Sequence, residues 1–324
     1  MKTKKKKNRA LKLLNTLLAV ILALMLGATV LAHSLMNKMN RVDNPGKNDP
    51  DTNVTVDLGD GSQDGMPEKL IGTEKNIINI LLIGQDRREG EGRARSDAMI
   101  LLTVNKNTKS VVLTSFLRDL YVQIPGYGSN RINASYAFGG MELLNRTLEQ
   151  NFGIYVDGNV EVDFGQFSEI VDLVGGVEIS LRSDEANHIN QNIGSRLTEG
   201  LCRLNGKEAL EYARIRKLDA DGDFSRTQRQ RTVINALVEQ VKAEGMLKML
   251  SIVDDVLPMV TTDMTNTEIL GYVTSLLPVL SGSRIENQRI PADGAYSYAM
   301  IDGMSVLKPD LEACRQLLRE TLDG

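Results

Sequence analysis

Apolar residues in this chain fall into short, β-branched runs that alternate with helical patterns. "NIINILLIG" (residues 76–84) and "AMILLTV" (98–104) are nearly continuous apolar stretches of strand length, as strands covered on both faces require. "NKNTK" supplies a turn, and "SVVLTSF" (110–116) makes a third strand. Further on, the pattern predicts a helix in "GGMELLNRTLEQNF" (139–152), a strand in "VEVDF" (160–164) and a helix in "GQFSEIVDLV" (165–174). "GGVEISL" (175–181) reads as a strand, "NGKEALEYA" (205–213) as a helix, and a long helix follows Ser225. Strands mixed with helices throughout predict an α/β fold, a mixed central sheet flanked by helices.

The first apolar run has a different texture. Lys2, Lys4, Lys5, Lys6, Lys7, Arg9 and Lys12 precede "LLNTLLAVILALMLGATVLA" (13–32), which carries no charge. About 20 apolar residues at 1.5 Å each span a hydrocarbon core of roughly 30 Å. The pattern predicts a basic cytoplasmic tail at 1–12 and one transmembrane helix at 13–35. The positive-inside rule then places the remainder outside the cell, as a single-pass protein of the cell membrane. A cleaved signal peptide ending near Ala32 is the rival, although its apolar region usually runs about 7–15 residues. Residues 36–75, rich in Asn, Asp, Gly and Pro, read as a flexible stalk, and residues 76–324 as one folded domain.

Composition narrows the chemistry. A net charge of −4 argues against a general nucleic-acid binder, and an exported domain is out of reach of DNA. Only His33 and His188 are present, so a His-based triad or a His-rich zinc site is not expected. Cys202 and Cys314 allow one disulfide in an exported chain, or two separate thiols. Any chemistry must then run on carboxylates, arginines and a metal ion.

Two regions supply such groups. If the first three strands form an antiparallel meander, one sheet edge collects Asp86, Arg87 and Arg88, then Arg93, Arg95 and Asp97, then Arg118 and Asp119. The second region is "ARIRKLDADGDFSRTQRQR" (213–231). Extended "RIR" puts Arg214 and Arg216 on one side. A calcium loop starting at Asp219 fails, because its sixth position is Phe224 and its twelfth Gln230. A tight polar turn capping the next helix at Asp223 or Ser225 fits instead. On that helix the apolar stripe runs through Val233, Ile234, Leu237, Val238 and Val241. Arg226 and Gln230 fall with the stripe and point inward, whereas Arg229 and Arg231 are expected at the surface. An inward arginine needs an anionic partner, and Arg214, Arg216 and Arg226 together suit phosphate oxygens.

"NILLIGQD", "RSDAMILL", "SFLRDLYVQIPG", "RINASYAFGG", "VDLVGGVEIS", "LNGKEALEYARIRK" and "DGDFSRTQRQ" stand in the order and spacing of LytR–CpsA–Psr proteins, which the chain resembles over about residues 76–238. The resemblance implies an α-β-α sandwich and a membrane-anchored phosphotransferase. Such proteins move a glycopolymer (teichoic acid, capsule or a related glycan) from an undecaprenyl-pyrophosphate carrier to N-acetylmuramic acid of peptidoglycan. By the same resemblance Asp86 and Asp97 hold Mg²⁺, and Arg95, Arg118, Arg214, Arg216, Arg226 and Gln230 bind the pyrophosphate. Asp86 and Arg118 carry the catalytic roles, with Asp86 able to orient or deprotonate the sugar hydroxyl. The polyprenyl tail enters an apolar pocket between sheet and helices. Where the family usually has Pro before the Arg-Asp pair, this chain has Leu117, which is expected to loosen the backbone there.

Two other functions use the same groups. A hydrolase would admit water in place of the sugar acceptor, and a non-catalytic protein would only bind polyprenyl phosphate or wall polymer. A transcriptional regulator conflicts with the predicted topology, which leaves about a dozen residues in the cytoplasm.

Overall fold

The computed structural model describes residues 37–42, 70–87, 93–243, 255–280 and 285–322. The chain divides into residues 1–39, of which only a turn at 37–39 is described, and a compact unit from Asn40 to Gly324. The cytoplasmic tail and transmembrane helix expected at 1–35 lie outside the described residues. Among the described residues no helix is long and apolar enough to cross a membrane.

The strands are β1 (Asn40–Arg41), β2 (Ile77–Gln85), β3 (Ser96–Asn105), β4 (Ser110–Phe116), β5 (Tyr121–Ile124), β6 (Gly128–Arg131), β7 (Gly158–Asp163), β8 (Val177–Leu181), β9 (Gly200–Leu204), β10 (Thr261–Thr262), β11 (Ile285–Ile290), β12 (Tyr296–Ile301) and β13 (Met304–Pro309). The helices are α1 (Ile132–Phe152), α2 (Phe164–Leu173), α3 (Ser183–Ile193), α4 (Gly206–Arg214), α5 (Asp223–Ala243), α6 (Asn266–Leu280) and α7 (Leu311–Leu322). A seven-stranded sheet runs β1-β10-β7-β2-β3-β4-β11. Strands β2, β3 and β4 form the expected antiparallel meander, while β7 joins β2 and β11 joins β4 in parallel, so the sheet is mixed.

Alternation along the central strands divides the core into two layers. Leu81, Ile83, Met99, Leu101, Val112 and Phe116 face α1 and α7, meeting Leu144, Leu148, Phe152 and Leu318 in one cluster. Leu82, Ile100 and Val160 face the other way, toward α2, α4 and α5. Covering both faces explains why these strands read as continuous apolar runs. The helix expected at 139–152 is the second half of α1. Gly140 breaks its geometry (φ 68°, ψ −150°), so the apolar pattern resumes only beyond the kink. Within the span expected as a stalk, Asn40–Arg41 pairs with β10, and Ile71 bridges to Ile154. Cys202 and Cys314 are both free thiols, and burial pushes the Cys314 thiol up to about 11.

Helices α2 to α5 pack around Val171, Ile179, Leu204, Tyr212 and Val233. Gly206, at the start of α4, lets that helix touch α2: a Cβ built there would stand 1.9 Å from the Ser168 carbonyl oxygen. Its N–H also donates to Asp172 at 2.7 Å. Gly206→Ala is therefore expected to cost ~1–3 kcal/mol of stability or more, seen as a lowered Tm in thermal unfolding.

Candidate functional site

The meander brings Asp86, just beyond β2, Asp97, at the start of β3, and Arg118 and Asp119, just beyond β4, to one edge of the sheet. Helix α4 ends at Arg214, Ile215 is extended and buried, and Arg216 follows on the same side. The polar turn then reverses the chain, and α5 starts at Asp223 and carries Arg226 in its first turn.

Two carboxylates organise three guanidinium groups at this edge. Asp97 lies 2.5 Å from Arg118 and 3.9 Å from both Arg216 and Arg226. Asp223 lies 2.9 Å from Arg226, 3.6 Å from Arg118 and 3.9 Å from Arg216. Asp119 adds a third carboxylate, 3.8 Å from Arg118 and 3.3 Å from Arg131, so four guanidinium groups against three carboxylates leave one positive charge uncompensated. Burial pushes Arg226 down to about 10, against the pull of Asp223, so it remains protonated near neutrality. Burial also raises the Asp223 carboxyl even with Arg226, Arg118 and Arg216 around it. Arg226 Nε and Gln230 Oε1 are buried and lack hydrogen-bond partners among the described residues. Both are groups that a ligand can satisfy.

Arg214, Arg216 and Arg226 line the polar end of a cavity of about 300 Å³ between the sheet and helices α2, α4 and α5. Its walls are apolar, including Leu82, Ile100, Val160, Phe167, Leu210 and Leu237. Arg214, Arg216, Arg226, Gln230 and Asp97 supply its polar part. Arg214 also stacks over the Phe164 ring, 5.0 Å from its centroid, and reaches Asp86 at 3.9 Å. A cationic end on an apolar pocket is shaped for an amphiphile with an anionic head.

The sequence profile of the LytR_cpsA_psr family matches residues 32–321. The chain belongs to the LytR–CpsA–Psr family. It is 34% identical over 252 residues to the regulatory protein MsrR of Staphylococcus aureus (strain COL), covering 76% of this chain and 74% of that one. It is 39% identical over 173 residues to the polyisoprenyl-teichoic acid–peptidoglycan teichoic acid transferase TagU of Oceanobacillus iheyensis, 52% of each chain. Among solved structures it is similar to the family protein TagT with bound octaprenyl pyrophosphate lipid, with a TM-score of 0.60 and 27% identity. That similarity covers 82% of this chain and 98% of TagT.

Of the residues expected in a LytR–CpsA–Psr site, the structure brings Asp97, Arg118, Arg216 and Arg226 together, places Gln230 in the cavity wall and ties Asp86 in through Arg214. Arg95 is exposed and makes no ion pair among the described residues. Arg88 lies outside the described residues. Asp86 and Asp97 offer only oxygen donors, which suits an ion such as Mg²⁺ that takes one or two carboxylates and fills its shell with phosphate and water. Among the described residues no group of three or more His, Cys, Asp or Glu side chains could hold a metal ion alone. Sequence placed Asp119 at this edge and offered Asp223 as a helix cap, but it did not show the Asp119–Arg131 pair (3.3 Å) or the ion pairs of Asp223; for the latter the signal was its place three residues before Arg226.

Three expectations need correction. Arg229 is not at the surface: it is 3% exposed, and it donates to Glu185 at 2.8 Å and to Asp219. Arg231 is 6% exposed and donates to the Ser115 hydroxyl at 2.6 Å. Helix α5 is covered on more than its apolar stripe, by β4 and β11 on one flank and by α3, α4 and the polar turn on another. Leu117 does not loosen the backbone: its side chain is buried, and its N–H donates to Ile290 at 3.0 Å, a bond proline could not make.

Arg229→Ala would take the buried partner from the Glu185 and Asp219 carboxylates and leave them only the half-exposed Arg182. It is expected to cost ~3–5 kcal/mol in denaturant unfolding. Burial alone would raise the Asp219 carboxyl, but Arg229 and Arg182 outweigh it and hold it below the ordinary value. A depressed folded pKa stabilises above the unfolded value of about 3.9, and that contribution is lost as pH falls through the folded value. Acid unfolding of Arg229→Ala should accordingly be less steep below about pH 4 than that of the native protein.

Proposed function

We propose that this chain is a membrane-anchored phosphotransferase. It moves a glycopolymer from an undecaprenyl-pyrophosphate carrier to the 6-hydroxyl of N-acetylmuramic acid in peptidoglycan, on the outer side of the cell membrane. The observation that carries this reading is the joining of an arginine-lined end to an apolar cavity. A soluble sugar phosphate would leave the cavity uncovered, and a plain hydrocarbon chain would leave the arginines uncompensated. A polyprenyl pyrophosphate satisfies both. The naming of relatives as teichoic acid transferases and the lipid held by TagT support the same reading.

Arg214, Arg216 and Arg226 hold the pyrophosphate, with Gln230 closing the phosphate end of the cavity and Arg95 reaching the head group from the rim. Arg118, fixed by Asp97 and Asp223, sets its charge where negative charge grows as the anhydride breaks. Asp86 and Asp97 would hold Mg²⁺, which when bound supplies further positive charge against the phosphate oxygens. The acceptor oxygen bonds to the phosphorus that carries the glycan, the phosphoanhydride bond breaks, and its electron pair leaves with polyprenyl phosphate. Asp86, half-exposed at the edge, orients the hydroxyl and takes its proton.

The test is transfer by the full-length protein in bilayers supplied with lipid-linked glycan, peptidoglycan and Mg²⁺. Asp86→Ala and Asp97→Ala are expected to abolish attachment. Arg226→Ala should weaken lipid binding by about 10- to 100-fold, the loss of a charged hydrogen bond of ~1.5–3 kcal/mol. Release of free glycan phosphate without attachment would show a hydrolase, and lipid binding without turnover a carrier protein. Either result overturns the transferase.

A further inference from the structure

A second cavity, of about 240 Å³, lies on the other face of the sheet. Strand alternation builds the two back to back, because successive residues point to opposite faces. Gly84 of β2 and Val160 and Val162 of β7 line the donor cavity, whereas Gln85 and Glu161 line the second. The donor cavity is apolar. The second is polar, with Gln85, Arg87, Arg93, Tyr136 and Glu161 in its wall.

Glu161 is the centre of this wall. It is 6% exposed, and its two oxygens accept from the Gln85 amide and the Tyr136 hydroxyl, one each. A carboxylate has about four lone-pair sites, so acceptor capacity remains for the hydroxyls of a ligand. Gln85 is fixed in turn, since its amide oxygen accepts from the Ala94 N–H at 3.2 Å. Burial, then the bond to Glu161, push the Tyr136 phenol well above its ordinary value and keep it a donor.

The rim is cationic. Arg93 lies 5.8 Å from the centroid of the Tyr136 ring and against the Gly140 kink, where a Cβ would come within 2.8 Å of its Cζ. Arg87 pairs with Asp163 at 3.6 Å, and Asp163 itself lines the donor cavity. The two cavities thus share a wall, and Asp86 stands in the chain between Gln85 and Arg87, on that shared edge.

We propose that the second cavity seats the acceptor: a sugar whose hydroxyls are read by Glu161, Gln85 and Tyr136, while a carboxylate, lactyl on a peptide-free sugar or carried by the attached peptide, meets Arg87 and Arg93. The inference rests on the transferase reading and deepens it. Sugar hydroxyls can donate to the Glu161 carboxylate and the Tyr136 phenol oxygen and accept from the second N–H of the Gln85 amide, while the guanidinium fork matches a carboxylate. An apolar occupant would make no use of the spare acceptor capacity of Glu161, and a cationic one would be repelled by Arg87 and Arg93 at the rim. Donor and acceptor would approach from opposite faces of one sheet, and neither must displace the other to reach Asp86.

The experiment uses full-length protein in bilayers saturated with donor lipid, at varied concentrations of a soluble glycan containing N-acetylmuramic acid with its lactyl carboxylate. Arg93→Met and Glu161→Gln are each expected to raise the acceptor KM by about tenfold or more, with donor-lipid binding held within about twofold. Titration calorimetry with the same glycan should show a matching loss of affinity in Arg93→Met. A chito-oligosaccharide, which lacks the carboxylate, should bind native and Arg93→Met proteins alike. Should Glu161→Gln lower the Tm, the exposed Arg93→Met carries the test. An unchanged acceptor KM in folded Arg93→Met, or donor binding lost in step with it, would sink the acceptor site. If the native protein transfers nothing, the transferase reading fails instead, and calorimetry decides the site alone: weaker glycan binding by Arg93→Met supports it, and equal binding overturns it.

Discussion

Guanidinium groups repel one another, and this site depends on two carboxylates that hold three of them at one sheet edge. Arg118, Arg216 and Arg226 come from a strand end, a turn and a helix, and each lies within 3.9 Å of both Asp97 and Asp223. Without the carboxylates, charges of like sign in a partly desolvated pocket would drive those three elements apart. With them, one positive charge is left over, directed at the polar end of the cavity. The arrangement is a preorganised anion site that does not have to assemble around its ligand.

The turn between α4 and α5 is held by a second set of ion pairs. Asp219 bonds to Arg229 and lies 3.0 Å from Arg182, and Glu185 joins both arginines. These groups line neither the cavity behind the arginines nor the polar one. They fix the loop whose two ends present Arg214 and Arg216 on one side and Asp223 and Arg226 on the other, so positioning is separated from binding. The sheet makes a similar separation. Because Gly84 and Gln85 face opposite ways, one strand end serves an apolar cavity and a polar one without compromise between them.

Much of this was legible in the sequence, for physical reasons that also mark the limit. The meander followed from three apolar runs with a turn, and the convergence of Asp86, Asp97 and Arg118 followed from the meander. Helical periodicity placed Arg226 and Gln230 inward, because their neighbours on the wheel are aliphatic. The same wheel failed for Arg229 and Arg231. It reports whether a face is apolar, not whether it is covered, and Arg229 is covered by Glu185, 44 residues earlier. Strand β11, "IENQRI", was missed because four of its six side chains are polar and it pairs in parallel with β4, a partner 174 residues away. The polar cavity left no local signal either: Gln85, Arg93, Tyr136 and Glu161 come from four separate segments and meet only in the fold.

Helix α5 shows what buried charge contributes that apolar packing cannot. An aliphatic stripe tolerates a helix turned by some tens of degrees or shifted by a turn, since dispersion contacts are not directional. Arg226, Arg229 and Arg231 leave the same helix in three directions, toward Asp97, toward Glu185 and Asp219, and toward Ser115. Each would lose its partner on rotation, and an unpaired buried guanidinium costs several kcal/mol, on the order of the whole margin of stability. Only one rotational setting satisfies all three. The residues facing the cavity, Arg226 and Gln230, inherit that setting, so the precision of its polar end is fixed by arginines that never touch it.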